Sequence, residues 1–393
     1  MSLRIAIFTD SALPILNGVS VSVDSLVREL RNQGHSVHLF CPQFPRHRES
    51  DPNTYRFRAI ETPWTKGFPF AYPPYIRMLR KFRRHTFDVV HIHTLGIVGF
   101  VGLRWAESHE LPVVATYHTL YDRYAHYVPG VPRRYIRFKI AKHTNYVFNR
   151  VHHVITPSEA SLKWLKRHAV NTPATIIPTG VQKRGVYDRS EVRQAMGIPP
   201  EQRIMLYVGR LAQEKNLPTL FEMAALAFRE DPQLRLWLVG DGPFRAECMT
   251  YARRLGIGDR VRFVGFVPPH EVERYYSAAD LFVFPSVTET QGLVIQEAMA
   301  HGLPCVAIAG GGASLSITDG VDGVVVRKNE ASSFARAVLK VLSDEGLYAR
   351  LSESALRSSR EQSTGRMAER IADIYRLVID QQTGERRLFA TVR

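Results

Sequence analysis

The sequence predicts an α/β protein of two Rossmann-like domains, each a doubly wound parallel sheet, facing a central cleft. Three observations predict it. The chain has 393 residues, too long for one ordinary core and suited to two α/β domains of roughly two hundred residues each. Short β-branched runs alternate with amphipathic segments through the N-terminal half, the pattern of parallel strands joined by crossover helices. After a polar linker at Gly180 to Asp188 the alternation starts afresh, which duplicates the architecture without repeating the sequence.

In chain order, the first set of strand candidates is Arg4 to Thr9, Ser36 to Phe40, Asp88 to His93, Pro112 to Tyr117, His153 to Pro157 and Ala174 to Pro178. Helices fit between them, such as Val19 to Gln33, closed by Gly34 as a C-terminal cap. The second set is Arg203 to Gly209, Leu234 to Gly240, Val261 to Val264, Leu281 to Pro285 and Pro304 to Ala309. The domains are therefore expected at 1–182 and 183–365. A tail at 366–393 follows, where Met367, Ile371, Ile374, Tyr375 and Val378 recur at helical spacing. That helix either crosses back onto the first domain or packs on the second.

Composition narrows the chemistry. With 45% hydrophobic and 23% charged residues the chain is neither disordered nor fibrous. Lys and Arg number 52 against 37 Asp and Glu, a net charge of +15, so an anionic partner is expected. Phosphate, nucleic acid and lipid headgroups all qualify. Cys41, Cys248 and Cys305 have neither CxxC nor Cys/His metal spacing and read as core residues in a reducing compartment. Met1 to Ile7 runs into a strand without an export-signal pattern. No apolar run approaches the roughly 20 residues needed to cross a bilayer. A cytoplasmic protein is expected, with any membrane contact peripheral.

The residues that carry chemistry sit at expected strand ends, where doubly wound sheets bind ligands. Phe282 to Ser286 ends a strand, and Thr290-Gln291-Gly292-Leu293 opens a helix running to Ala300. A helix start offers unpaired N–H groups and a positive dipole end to a diphosphate. Gly292 lets a phosphate approach the backbone, and Leu293 belongs to the same helix-opening segment. Glu297 can accept hydrogen bonds from ribose hydroxyls, and Glu289 can reach the sugar itself. As an acid and nucleophile pair the two glutamates would need carboxyls roughly 5 Å apart. Six or so helical residues separate them by about 9 Å, which favours binding roles. About seventy residues earlier, Tyr207 to Leu211 followed by Glu214-Lys215-Asn216 forms a strand end, a glycine turn and a helix start. There Arg210, with its planar fork, and Lys215, as a point charge, can clamp a diphosphate.

At these residues the chain resembles the large retaining GT-B glycosyltransferase family with an E-x7-E motif. It is most similar to the branch of diacylglycerol glucosyltransferases and phosphatidylinositol mannosyltransferases. Matching pieces span nearly the whole chain: NGV (Asn17 to Val19), VVHIHT (Val89 to Thr94), TYHTLYDRYAHY (Thr116 to Tyr127), TPS (Thr156 to Ser158), PTGV (Pro178 to Val181), VGRLAQEKN, VGDGP (Val239 to Pro243) and ETQGLVIQEAMAHGLP. The resemblance implies the GT-B fold, with Glu289 and Glu297 as the ends of the E-x7-E element and Arg210 and Lys215 as diphosphate ligands. It implies transfer of a hexose from a nucleotide-sugar donor, UDP-glucose favoured, with retention by front-face attack. One departure stands out: in the stretch Gly310 to Gly320, Leu315 occupies a position where many relatives carry an acidic residue.

Position and resemblance together give His118, after the strand Pro112 to Ala115, the place beside the transferred sugar. A neutral imidazole there accepts a hydroxyl hydrogen bond and helps stabilise an oxocarbenium-like transition state. Gly18, in the turn before the first helix, can contact the phosphate or the sugar. The chain has no Asp-x-Asp triplet of the sort that holds a metal on the diphosphate, so neither a metal nor another cofactor is expected.

Two segments, Tyr75 to Arg84 and Arg133 to Ile140, interleave cations with large apolar side chains. Such segments suit a helix lying in an anionic membrane interface. A lipid acceptor such as diacylglycerol or a glycolipid is favoured, with a soluble acceptor or GDP-mannose as the alternative. A nucleic-acid-binding protein leaves the donor residues unexplained. A sugar-nucleotide epimerase or a phosphorylase would share the two-domain layout.

Overall fold

The computed structural model describes residues 2–15, 17–44, 47–60, 70–72, 80, 82–118, 132–181, 185, 187–289, 291–310 and 313–391, apart from the side chains of 70, 133, 313, 315 and 385–391. They form two compact units, 1–180 with 364–393 and 181–363.

The first unit is built on β1 (Arg4–Phe8), β2 (Ser36–Pro42), β3 (Thr54–Phe57), the short pair β4 (Ala59–Ile60) and β5 (Phe70–Ala71), β6 (Val89–Ile92), β7 (Val113–Thr116), β8 (His153–Thr156) and β9 (Ala174–Ile176). Its parallel sheet runs β3-β2-β1-β6-β7-β8-β9, while β4 and β5 pair antiparallel apart from it. The central strands are buried on both faces, as parallel strands covered by helices must be. β3, absent from the sequence reading, extends the edge.

Four local devices set the loops at the ends of these strands, three of them at the carboxyl ends and Gly34 at the amino end of β2. The helix Gly18–Asn32 is capped by Asn17, whose Oδ1 accepts from the N–H groups of Val19 and Ser20 at 3.0 and 2.9 Å. Gly34, with φ of 83°, ends that helix as expected. The helix Ile97–Ser108 has no local side-chain cap. Instead Asp10, just past β1, accepts from Val98 N–H at 2.9 Å and Gly99 N–H at 3.3 Å. Residue 96 must be glycine, since a Cβ there would lie 2.5 Å from the Asp10 carboxylate.

The C-terminal helix runs Thr364–Thr391 and belongs to the first unit. Met367, Ala368, Ile371, Ala372, Tyr375 and Val378 bury one stripe against Val23, Leu26, Val27 and Leu30 of the Gly18–Asn32 helix. Each fully buried Ile, Met or Val contributes about 1.5–3 kcal/mol.

The second unit carries β10 (Arg203–Val208), β11 (Leu234–Val239), β12 (Val261–Gly265), β13 (Leu281–Phe284), β14 (Cys305–Ile308) and β15 (Val324–Val326), in the parallel order β12-β11-β10-β13-β14-β15. β15, too short for its periodicity to register, is the added edge. Order reverses between β10 and β13, so their carboxyl ends form the switch point at which doubly wound sheets bind ligands.

Candidate active site

Of the donor-side residues singled out from the sequence, Arg210, Lys215, Glu289, Gly292, Leu293 and Glu297 lie at or near the switch point of the second unit, and Gly18 lies in the first unit. β10 ends at Val208, and Gly209 and Gly240 follow β10 and β11. A Cβ on Gly240 would sit 2.1 Å from the Gly209 carbonyl oxygen, so glycine is what lets these two turns touch. Arg210 is exposed beyond the turn. Lys215 closes a short 3-10 turn, Gln213–Lys215, and the long helix starts only at Leu217. The two cations therefore precede that helix rather than ride on its first turn, because Asn216 adopts a left-handed conformation with φ of 55° and Pro218 occupies the start.

β13 delivers the other half. Ser286, Thr288 and Glu289 follow its end, and Lys215 Nζ forms an ion pair with Glu289 Oε1. Ser286 Oγ donates to the same oxygen at 3.3 Å, and Thr288 Oγ1 donates to the Glu214 carbonyl at 3.2 Å. Asn216 Nδ2 ties the two loops again by donating to Pro285 O at 3.1 Å. Lys215 is mostly buried, so its ammonium is held by the carboxylate rather than left to water.

The helix after this loop is Leu293–Ala300, which corrects the expected start at Thr290. Gly292 takes φ of 73°, a conformation that breaks a helix and favours glycine, and no side chain caps the turn it opens. Only the stretch from Leu293 to Glu297 is helical, a rise of about 6 Å, so the helix supplies only part of the path between the two glutamates. The glutamates still hold different partners. Glu297 Oε2 accepts from Tyr276 OH at 2.7 Å. Burial, with Glu297 beside it, keeps the Tyr276 phenol protonated by raising its pKa well above the ordinary value. Sequence reasoning missed Tyr276, and no motif marks it. Leu315 falls in the 3-10 turn Ala313–Ser316, with its side chain outside the described residues.

In the first unit, His118 follows β7 and is buried. His118 Nε2 lies 2.8 Å from His93 Nδ1. His93 packs against His91 with ring centroids 3.9 Å apart and the ring planes tilted by 39°. His91 Nδ1 meets Tyr375 OH at 2.6 Å and its Nε2 meets Thr116 Oγ1 at 2.7 Å. Burial drives all three histidines toward the neutral form, lowering His118 to about 4 and the other two well below their ordinary value. His91 and His93 stood in the VVHIHT motif without roles. Their spacing of two along a strand was the available signal, because it puts both rings on one face. Gly18 is the first residue of its helix and is exposed; Asn17 already occupies the next two N–H groups.

The two basic segments fare differently. Tyr75 to Leu79 and Lys81 lie outside the described residues, but Phe82 is buried among Phe8, Phe40, Phe87 and Trp105. Its ring therefore serves the core and not an interface, a correction to the expectation for that segment. Arg133 to Ile140 opens the helix Arg133–Phe148, where Tyr135 and Phe138 are 53% and 61% exposed among exposed Arg134, Arg137 and Lys139. Of TYHTLYDRYAHY, the part from Thr119 onward lies outside the described residues.

Two doubly wound parallel-sheet units with ligand-type loops at a switch point define a GT-B architecture, and the comparisons give the family. Residues 188–358 match the model of glycosyl transferases group 1 and residues 16–183 that of glycosyltransferase family 4. The chain is similar to an alpha-monoglucosyldiacylglycerol synthase of Streptococcus pneumoniae, 32% identical over 78% of this chain and 71% of the relative. It is 29% identical to a protein of the same name from Acholeplasma laidlawii, over 96% and 98% of the two. A GDP-mannose-dependent alpha-mannosyltransferase of Mycobacterium tuberculosis is 30% identical over 83% and 84%. Among solved structures, a sucrose-phosphate synthase from Thermosynechococcus elongatus is similar with a TM-score of 0.76 at 25% identity, covering 96% of this chain and 100% of that one. This chain belongs to the group 1 and family 4 glycosyltransferases.

Proposed function

We propose that the protein is a retaining hexosyltransferase that moves a hexose from a UDP-sugar, glucose favoured, to a lipid acceptor such as diacylglycerol or a glycolipid. The observation that carries this reading is Lys215, held by Glu289 in the unit that also contains the uncapped helix start at Gly292 and Leu293. A cation and unpaired N–H groups are what a diphosphate leaving group needs. Lys215, Arg210 and that first turn hold the diphosphate. Glu297, oriented by Tyr276, holds the ribose, and Glu289 reaches the sugar. His118 lies beside the transferred sugar, and Gly18 offers its N–H to phosphate or sugar. The names of the two relatives describe an alpha-glucosyl lipid; an ordinary α-linked donor then requires retention, which front-face attack supplies when no carboxylate acts as nucleophile. These cations make a divalent metal unnecessary.

The exposed Tyr135 and Phe138 among cations support peripheral contact with an anionic membrane, at its cytoplasmic face, each cation adding about 1 kcal/mol. Among the described residues no helix is long and apolar enough to cross a membrane. A donor-by-acceptor matrix with lipids in detergent, followed by NMR of the product's anomeric proton, tests the reading. An α-linked glucosyl lipid formed equally well in excess EDTA is expected. A β-linked product overturns retention, metal-dependent turnover overturns the leaving-group assignment, and transfer only from GDP-mannose or only to soluble alcohols overturns the substrate assignment. Binding to anionic but not neutral vesicles is expected; equal binding to both rejects the electrostatic contact.

A further inference from the structure

We propose that a cavity in the second unit, at the opposite end of its sheet from the candidate active site, binds a soluble phosphate monoester through Arg235 and Arg262. The inference goes beyond the transferase reaction and does not depend on it. The cavity has a volume of about 380 Å³ and lies where β11 and β12 begin, between those strands and the turn that follows the helix Arg189–Ala195. Arg210 and Glu289, by contrast, follow the carboxyl ends of β10 and β13. The six residues of β11, at about 3.3 Å each, put roughly 20 Å between the two ends of the sheet. A ligand in this cavity is therefore not a donor held at the switch point.

Strand pairing crowds cations there. Trp237 of β11 is the partner of Arg262 in β12, and side chains alternate along a strand, so Arg235, Trp237 and Arg262 share one face of the sheet. The Arg262 guanidinium lies over the Trp237 ring, 4.6 Å from its centroid. Such a contact restrains the long side chain and lowers the entropy cost of holding a ligand. Arg260, just ahead of β12, is a fixed third charge whose guanidinium donates to the carbonyls of Phe228, Asp231 and Leu234. Arg235 is anchored by Nη1, which donates to the carbonyls of Pro232 and Leu234. Among the described residues none of the three arginines forms an ion pair. Asp259 is the one described carboxylate lining the cavity, and nearby Asp231 is already paired with Arg203. Burial first, then the charge of Arg235, lowers the Arg260 pKa from its ordinary value, with Asp231 acting the other way. Like charges side by side on a sheet destabilise it, and an anion between them removes that cost. Three cations against one carboxylate leave two positive charges, and a phosphate monoester carries about −1.5 to −2 at neutral pH. Guanidinium forks match its oxygens. The cavity falls in the range of small-molecule sites, roughly 300–1,000 Å³, and buried Ile198 and Val261 in its lining suit an organic moiety attached to the phosphate.

Isothermal titration calorimetry of the full chain with glucose 6-phosphate at low salt tests the site. Binding is expected that glucose does not reproduce and that weakens as salt is added. Arg235→Gln and Arg262→Gln should each weaken it about tenfold or more, whereas Lys215→Ala should leave it within about twofold. Arg262→Lys, which keeps the charge and loses the fork, should fall between. Glucose 6-phosphate should also raise the Tm of the wild-type protein and leave that of both folded Gln variants unchanged. No binding by the wild-type protein overturns the proposal. Binding lost in Lys215→Ala and kept in both Gln variants overturns it as well, by assigning the ligand to the switch point. Equal affinity for sulfate would reveal a general anion patch, and binding to phosphatidate vesicles but not to glucose 6-phosphate would reveal a membrane contact; either result overturns it. Should a Gln variant fail to fold, the salt, glucose and sulfate comparisons on wild-type protein decide the question.

Discussion

The two clusters of candidate residues solve opposite electrostatic problems. In the second unit Lys215 faces the Glu289 carboxylate at a mostly buried position, and Glu297 accepts from a Tyr276 phenol whose pKa burial raises well above the ordinary value. In the first unit His91, His93 and His118 are buried together, and burial drives them toward the neutral form. Under the proposed roles, an ion pair lies where a diphosphate is met and neutral imidazoles where a sugar is handled. The comparison teaches that hydrogen-bond partners and burial, not residue type, assign these groups their roles.

The sharpest way to break this contrast is Lys215→Ala. Loss of the charge should lower kcat/KM for the donor by about 10²–10³-fold, and a change within twofold would remove the phosphate role. Next comes acid. His118 falls from an ordinary 6.5 to about 4 on folding, so the unfolded chain takes up its proton first as pH drops. Stability is therefore lost between pH 6.5 and 4, by about 3 kcal/mol for this residue alone. Urea unfolding at pH 7 and 4.5 measures it, and in His118→Phe the loss should be smaller. His118→Ala should lower kcat about 10- to 100-fold with donor KM little changed; a pure KM effect would move His118 to the binding side of the contrast. Smallest is Tyr276→Phe, which removes the Tyr276 hydroxyl from the Glu297 carboxylate and should raise donor KM about tenfold. An unchanged KM there would show that Glu297 does not need orienting.

Much of this was legible in the sequence, for identifiable reasons. Strands buried on both faces announce themselves as β-branched runs, and Gly34 marks a helix end because a left-handed backbone favours glycine. The helix start at Leu293 was misread by three residues: Thr290 and Gln291 carry no signal against a helix, and only the conformation of Gly292 sets the boundary. Phe82 was unreadable as a core residue, since an amphipathic basic segment looks alike whether its apolar face meets a membrane or a protein. Tyr276 and Tyr375 were invisible as partners of Glu297 and His91 because their contacts span 21 and 284 residues. Pairings at such distance are made by tertiary packing, which leaves no local periodicity.

The Thr364–Thr391 helix has a consequence for the order of events on the ribosome. It fills the face of the first unit offered by Val23, Leu26, Val27 and Leu30, and its Tyr375 reaches His91. The first unit therefore waits with an open hydrophobic face until the whole second unit has been translated. At about 5–20 residues per second, the 183 residues of 181–363 impose a delay of roughly 10–40 s. The half of the chain made first is the half completed last, and its histidine cluster is assembled only when the closing helix arrives.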